Sequence, residues 1–141
     1  MENFTIEPLK GFGDLRFEMT LDEVVKLIGN PDKQEKIEPI EECDDNNVMV
    51  LDYYDLDMAL YFEGDAELKL YNIYTVNENT TLYDAKLFDL NKEEIIELMK
   101  QNGCENYTED TDDGDCITFD DVNIDMYFED DELVEVFWGE E

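Results

Sequence analysis

Two segments of the chain place hydrophobic residues at the three- and four-residue spacing of an amphipathic helix. In the first segment that face consists of Leu21, Val24, Val25 and Ile28. Thr20 and Glu23 have the spacing of a capping box, while Gly29 and Pro31 are residues that end helices. The pattern therefore predicts a capped helix over Leu21–Ile28.

The second segment has the same plan. Asn91 and Glu94 repeat the spacing of Thr20 and Glu23, and Gly103 follows the hydrophobic face. That face consists of Ile95, Ile96 and Met99. We expect a second capped helix that ends before Gly103.

After each helix the period of the pattern changes to two, which is typical of β-strands. The predicted strands are residues 48–54, 57–62 and 68–75 after the first helix, and residues 116–119, 122–128 and 133–138 after the second. Short extended segments are expected at 4–6, at 15–19 and at 86–90. Residues 32–47 and 108–114 are polar or acidic and are expected to be connections.

The two parts of the chain can be superposed. A shift of 71 residues places Val24-Val25 on Ile95-Ile96, and a shift of 66 places Tyr61-Phe62-Glu63 on Tyr127-Phe128-Glu129. This predicts internal repeats at about 11–75 and 84–139 within a single domain, 1–141. We expect an α+β fold, in which a tandem helix–strand–strand–strand repeat forms one antiparallel sheet with both helices on one face.

Charge sets this sequence apart. Nine lysines and arginines face 41 aspartates and glutamates, so the formal net charge is −32. Such a charge repels nucleic acid and anionic lipid and keeps a protein soluble and monomeric. We expect a basic protein partner, no direct binding of nucleic acid or membrane, and a monomer, although a solvated acidic surface without a partner is the simpler alternative.

Several kinds of catalysis are excluded by composition. The sequence has no histidine and no serine, and Arg16 is the only arginine. Ser–His triads, Cys–His pairs and histidine metal sites are therefore impossible. Cys43, Cys104 and Cys116 lack metal-binding spacing and are expected to be reduced thiols. We expect no enzyme, no catalytic residue, no cofactor and no metal.

The acidic run 109–115 offers an alternative, because Gly114 would occupy position six of a calcium-binding loop. The twelfth position would be Asp120, where a bidentate glutamate is expected; no helix directly enters the run, and strands follow it. A solvated acidic loop is the interpretation that we favour.

The face of the sheet away from the helices is predicted to combine tyrosines with carboxylates. Alternation along the strands places Tyr61 on this face in the first part, and Asp125 and Tyr127 in the second. Tyrosine contributes large contact area at protein interfaces, but it is also common in ordinary sheets. The candidate partner-binding residues are Asp52, Tyr54, Asp57, Tyr61, Asp125 and Tyr127.

The first part resembles the repeat of the β-lactamase-inhibitor-protein-like superfamily, which is shared with small outer-membrane lipoproteins. The matching residues are Gly13, Met19-Thr20, Glu23-Val24 and the segment from Leu27 to Pro31. The resemblance also extends to small acidic bacterial immunity proteins, and it implies a binder rather than an enzyme. No lipoprotein signal is present at the N-terminus, so we expect a cytoplasmic protein rather than a lipoprotein.

Three functions are thus open. The first is an inhibitor or immunity protein for a basic partner such as a toxin, which we favour. The second is an acidic mimic of nucleic acid, although the acids lie mainly in predicted turns rather than along one face. The third is a structural or calcium-binding acidic domain.

Overall fold

A computed structural model describes residues 3–37, 47–64, 67–110 and 115–139. In these ranges the chain forms two α-helices, α1 (Leu21–Ile28) and α2 (Lys92–Gln101), with short 3₁₀ turns at Tyr54–Leu56 and Leu87–Asp89. The strands are β1 (Ile6–Glu7), β2 (Gly11–Phe12), β3 (Leu15–Arg16), β4 (Lys33–Ile37), β5 (Asn47–Tyr53), β6 (Met58–Gly64), β7 (Lys69–Thr75), β8 (Thr81–Leu82), β9 (Ala85–Lys86), β10 (Tyr107–Asp110), β11 (Asp115–Phe119), β12 (Ile124–Glu129) and β13 (Glu132–Gly139).

Eight of these strands form one antiparallel sheet in the order β10-β11-β12-β13-β7-β6-β5-β4. Each helix is followed by a meander of four strands, and the last strands of the two meanders, β7 and β13, pair at the centre. Four residue pairs join them, among them Phe137 opposite Tyr74. The prediction of an antiparallel sheet with two helices is confirmed.

The predicted number of three strands after each helix is wrong. The expected connection at 32–47 contains β4 and the first residue of β5, and the expected loop at 108–114 begins inside β10. Both additional strands are edge strands of the sheet as far as the described residues extend, and every residue of β10 is exposed. Backbone pairing rather than burial stabilises such strands, so their sequences lack the hydrophobic alternation of the inner strands.

The core lies on one face of the sheet. Leu60, Ile73 and Trp138 come from adjacent strands, and Val24 of α1 and Met99 of α2 are buried in the same cluster. All five side chains are fully buried. Both helices therefore pack into the same core as this face of the sheet.

Both helix starts have the predicted capping box. The Thr20 hydroxyl accepts from the Glu23 amide at 3.3 Å, and the Asn91 side chain accepts from the Glu94 amide at 2.9 Å. In return, each glutamate carboxylate accepts from the amide of the cap residue. Gly29 ends α1 with a φ of 92°, a value that favours glycine.

The segments before the helices are shorter strands than predicted. In place of an extended run over 15–19, β3 is two residues long and pairs with β2, and Glu18 has a positive φ of 74°. The strand expected at 4–6 is shifted to β1. A second hairpin, β8–β9, precedes the 3₁₀ turn Leu87–Asp89, where an extended segment is predicted.

Among the described residues, neither helix combines the length and the hydrophobicity that are needed to cross a membrane.

Candidate partner-binding face

The sheet face opposite the core, here called the open face, follows from strand alternation. In β6, Met58, Leu60 and Phe62 are buried in the core, so Ala59 and Tyr61 project to the other side. Residues directly opposite each other across strands share a face. The register therefore places one row across the open face, and this row consists of Asp52, Ala59, Tyr74, Phe137, Asp125 and Thr118.

Four aromatic side chains, here called the aromatic band, cross the middle of the open face. They are Tyr61, Tyr74, Phe137 and Tyr127, from four successive strands. The rings of Tyr61 and Phe137 meet edge to face, with centroids 5.4 Å apart and planes at 77°. Tyr61, Tyr74 and Phe137 are half-buried, while Tyr127 is 38% exposed.

Carboxylates surround the aromatic band. Burial and then the charges of Asp52 and Glu35 raise the pKa of the Tyr61 phenol. Burial also raises the pKa of the Tyr74 phenol, which is further raised by Glu135 through its charge and a hydrogen bond. Both tyrosines therefore remain neutral and keep a hydroxyl that can donate a hydrogen bond.

The second part of the open face centres on Tyr127. Burial raises the pKa of the Tyr127 phenol, and the nearby Cys116 and Asp125 contribute to the increase. Cys116 lies directly opposite Tyr127, and burial likewise raises the pKa of its thiol. Asp125 accepts a hydrogen bond of 2.5 Å from the Thr118 hydroxyl, which fixes the carboxylate at the surface.

Positive charge is nearly absent from the open face. The sequence has no lysine or arginine after Lys100, so β10 to β13 contribute none. Lys33 lies opposite Asp52 on the edge strand β4, where it forms an exposed ion pair with Glu35 at 3.8 Å. Lys69, the first residue of β7, lies opposite Glu63. Among the described residues, Lys33 is thus the basic neighbour of Asp52 and Glu35, while no lysine or arginine lies opposite Asp125 or Glu135.

Four of the six predicted residues lie where sequence alternation places them. Asp52, Tyr61, Asp125 and Tyr127 are strand residues on the open face.

Tyr54 and Asp57 do not lie in strands, contrary to the prediction. The β5–β6 ladder ends at the pair Tyr53–Met58. Tyr54 begins the following 3₁₀ turn, is 61% exposed and donates its amide to Asp32 at 2.8 Å. Asp57 has a left-handed conformation with a φ of 50°, because the chain reverses there. Both residues therefore lie beyond the end of the β5–β6 ladder.

Sequence reasoning missed Tyr74, Phe137 and Glu135 as members of this face. The register shifts between Tyr61 and Phe62 and between Tyr127 and Phe128, so β7 and β13 each contain one additional residue. Alternation counted from the start of either strand then fails. Counting backwards from the buried Trp138 would have placed Phe137 on the open face.

The candidate calcium loop lies partly outside the described residues, because 111–114 are not among them. In the part of the chain that is described, no group of three or more acidic or cysteine side chains has a metal-binding arrangement. Cys104 and Cys116 are free thiols, and Cys43 also lies outside the described residues.

Comparison with known proteins adds little. No protein-family model matches the sequence, and no curated protein matches it. Among solved structures, the chain is similar to an extracellular protein containing a SCP domain from Bacillus anthracis str. Ames, with a TM-score of 0.49 and 15% identity. The similarity covers 88% of this chain, which spans 44% of that protein. Similarity at this level does not indicate a shared function.

Proposed function

We propose that this protein is a non-enzymatic protein-binding module, and that it acts as an inhibitor or immunity protein for a basic partner such as a toxin. The observation that carries the proposal is the aromatic band, which lies between carboxylates on the sheet face opposite the core. Tyrosine and phenylalanine supply the contact area of binding hot spots. The carboxylates supply complementarity to a basic surface.

The net charge of −32 supports the same proposal. A long-range negative field accelerates encounter with a cationic protein, and the acceleration falls as salt is added. The aromatic band then provides short-range contacts that salt screens far less. We expect association that is fast at low salt and a complex that dissociates more slowly than electrostatics alone would allow.

We also propose that the chain arose by duplication, as the resemblance to the β-lactamase-inhibitor-protein-like superfamily suggests. The two cap residues support this origin, because Thr20 bridges to Lys69 and Asn91 bridges to Glu132, each at the start of the last strand of its meander. The two register shifts support it as well, since both follow a tyrosine and precede a phenylalanine.

The experiment is affinity capture with two variants of matched charge. The face variant carries Asp52→Asn, Asp125→Asn and Glu135→Gln. The control variant removes the same number of charges from exposed positions of α2 and the segment after it, with Glu93→Gln, Glu97→Gln and Glu105→Gln. Each protein is immobilised, exposed to bacterial lysate at low salt and eluted with salt.

The proposal predicts that one basic protein is retained by the wild type and the control, and is lost from the face variant. The retained protein should then lose its own activity when the wild type is added in solution. Equal retention by all three proteins, or capture of only a broad mixture of basic proteins, would show that the open face is not a binding site.

A further inference from the structure

We infer that the open face contains two arginine subsites, one formed by Tyr61 with Asp52 and Glu35, and the other by Tyr127 with Asp125 and Glu135. The inference rests on the proposed function and specifies the chemistry of its partner. Each subsite combines an aromatic ring that is partly accessible with two carboxylates. Arginine is the side chain that uses both kinds of group at once.

The register supports the first subsite. Tyr61 lies opposite Val50 on β5, and Asp52 and Glu35 are on the same face of β5 and β4. Lys33 shares this face and forms an exposed ion pair with Glu35 at 3.8 Å, which a bound arginine would replace. Both carboxylates are close enough to act on the Tyr61 phenol by charge. On its other side, Tyr61 contacts Phe137, which fixes the orientation of the ring.

The second subsite is similar in chemistry but not in position. Tyr127 lies directly opposite Glu135 on β13, and Asp125 precedes it by two residues on the same strand and face. Both carboxylates again act on the phenol by charge. The Thr118 hydroxyl donates to one oxygen of Asp125 and so holds the carboxylate in place.

Arginine fits these subsites better than lysine does. A guanidinium group can stack its flat face on an aromatic ring while its N–H groups, which lie in its own plane, donate to carboxylates beside the ring. An ammonium group is instead a compact and strongly hydrated charge. A surface that attracted cations by charge alone would not distinguish the two. Preference for arginine is therefore the property that separates built subsites from a general acidic surface.

The register also sets the distance between the subsites. Tyr61 and Tyr127 lie on opposite sides of the Tyr74–Phe137 pair and on strands three spacings apart. Three strand spacings are about 14 Å, and four residues along a strand are about 13 Å, so the diagonal is about 20 Å. An extended peptide spans that distance with about six residues and presents residues i and i+6 on one side.

The test uses the full chain and two synthetic peptides with blocked ends, Arg-Thr₅-Arg and Lys-Thr₅-Lys. Affinity is measured by calorimetry at low ionic strength, and the tyrosine ring signals are followed by NMR. We expect the arginine peptide to bind about threefold to tenfold more tightly than the lysine peptide. The signals of Tyr61 and Tyr127 should shift with the arginine peptide.

Substitutions at the two tyrosines test whether the preference for the arginine peptide arises at the proposed subsites. Tyr61→Ala and Tyr127→Ala should each reduce the preference for arginine, and the double variant should abolish it. Tyr61→Phe keeps the ring and should retain the preference, which guards against an effect of misfolding. Tyr107→Ala, on the exposed edge strand β10, should behave as the wild type does.

Equal affinity for the two peptides, or a preference that survives in the double variant, would overturn the inference. Loss of the captured partner from the face variant would still support the proposed function in that case. The two failures are therefore distinguishable.

Discussion

The indole N–H of Trp138 donates a hydrogen bond of 3.2 Å to the backbone carbonyl of Gly11, and so joins the central strand β13 to the N-terminal hairpin. The same ring meets Phe12 edge to face, with centroids 5.1 Å apart. Trp138 is fully buried and is the only tryptophan in the sequence. One side chain thus connects the sheet, the hairpin and the core.

Trp138→Phe should therefore destabilise the protein. The substitution leaves the Gly11 carbonyl without its donor and opens a small cavity, which together cost about 2–3 kcal/mol. Chemical denaturation followed by far-ultraviolet circular dichroism measures the loss. Tyr107→Phe on the edge strand is the control and should change stability by less than about 0.5 kcal/mol. A similarly small loss for Trp138→Phe would contradict the proposed role of the hydrogen bond.

Tyr53 should make stability depend on alkaline pH. Its hydroxyl donates to the Gly29 carbonyl at 2.8 Å, and burial together with the charge of Asp32 raises the pKa of the phenol to about 12. The unfolded chain ionises near the ordinary pKa of 10, so this contribution is complete below pH 10 and is lost as the pH rises towards 12.

Tyr53→Phe should lower stability by about 1 kcal/mol at neutral pH and should weaken the decline between pH 10 and 12. Denaturation across that pH range measures both effects. Tyr54→Phe, at the exposed neighbouring position, is the control and should change stability at neutral pH by less than about 0.5 kcal/mol. An identical decline in the Tyr53 variant would show that other groups cause it.

The two capping boxes should contribute similar amounts of stability. Thr20→Ala and Asn91→Ala each remove an acceptor for a helix amide and should each cost about 1 kcal/mol. Thr20→Ser and Asn91→Asp retain the acceptor and should recover most of the loss. Failure of these conservative variants to recover stability would mean that the alanine variants act through something other than the cap.

Lys92 is a cation at the start of a helix, where the dipole disfavours positive charge. Its ammonium group instead donates to Asp115 at 2.9 Å and to Glu109, and the Glu109 hydrogen bond is the main cause that raises its pKa. Lys92 therefore holds the β10–β11 hairpin against α2, in a part of the chain where acidic residues dominate.

Lys92→Met should cost about 1 kcal/mol at low ionic strength and less at high salt, because salt screens the repulsion between the carboxylates that lose their cation. Lys92→Arg should retain most of the stability. Since a raised lysine pKa favours folding below its ordinary pKa near 10.5, the wild-type advantage should persist at neutral pH and disappear as the lysine loses its proton. A loss that is independent of salt would point to packing of the lysine stem.

The net negative charge should also make the melting temperature of the protein depend on salt. A net charge of −32 opposes compaction by self-repulsion, and salt screens this repulsion. The melting temperature should rise when sodium chloride is increased from about 0.01 M to about 0.3 M. A constant melting temperature would mean that the carboxylates are too dispersed to repel one another appreciably.

The sequence predicts the helices and inner strands well because burial leaves a periodic signal. Both capping boxes and the core residues Leu60 and Met126 lie as expected. The edge strands β4 and β10 leave no such signal, since residues such as Lys36 and Glu109 are exposed and the strands depend on backbone pairing.

The residues of the open face were predictable only in part, because the register shifts interrupt the period of two in β7 and β13. Tyr61 and Tyr127 precede the register shifts, so period-two alternation places them correctly. Phe137 and Tyr74 follow the additional residue in their strands, so alternation counted from the start of each strand places them on the wrong face. Asp57 carries a local signal instead, because aspartate tolerates the left-handed conformation of a turn.

The position of β13 has a consequence for how the protein is made. Strands leave the ribosome in chain order, and β7 forms hydrogen bonds on one side with β6 and on the other with β13, the last described strand. Until Val136–Gly139 emerges, the nascent chain presents the unpaired edge of β7, with Ile73 and Tyr74, to its surroundings. Formation of β13 therefore joins the two meanders, and a chain interrupted before this strand would leave the β7 edge open to pair with other nascent chains.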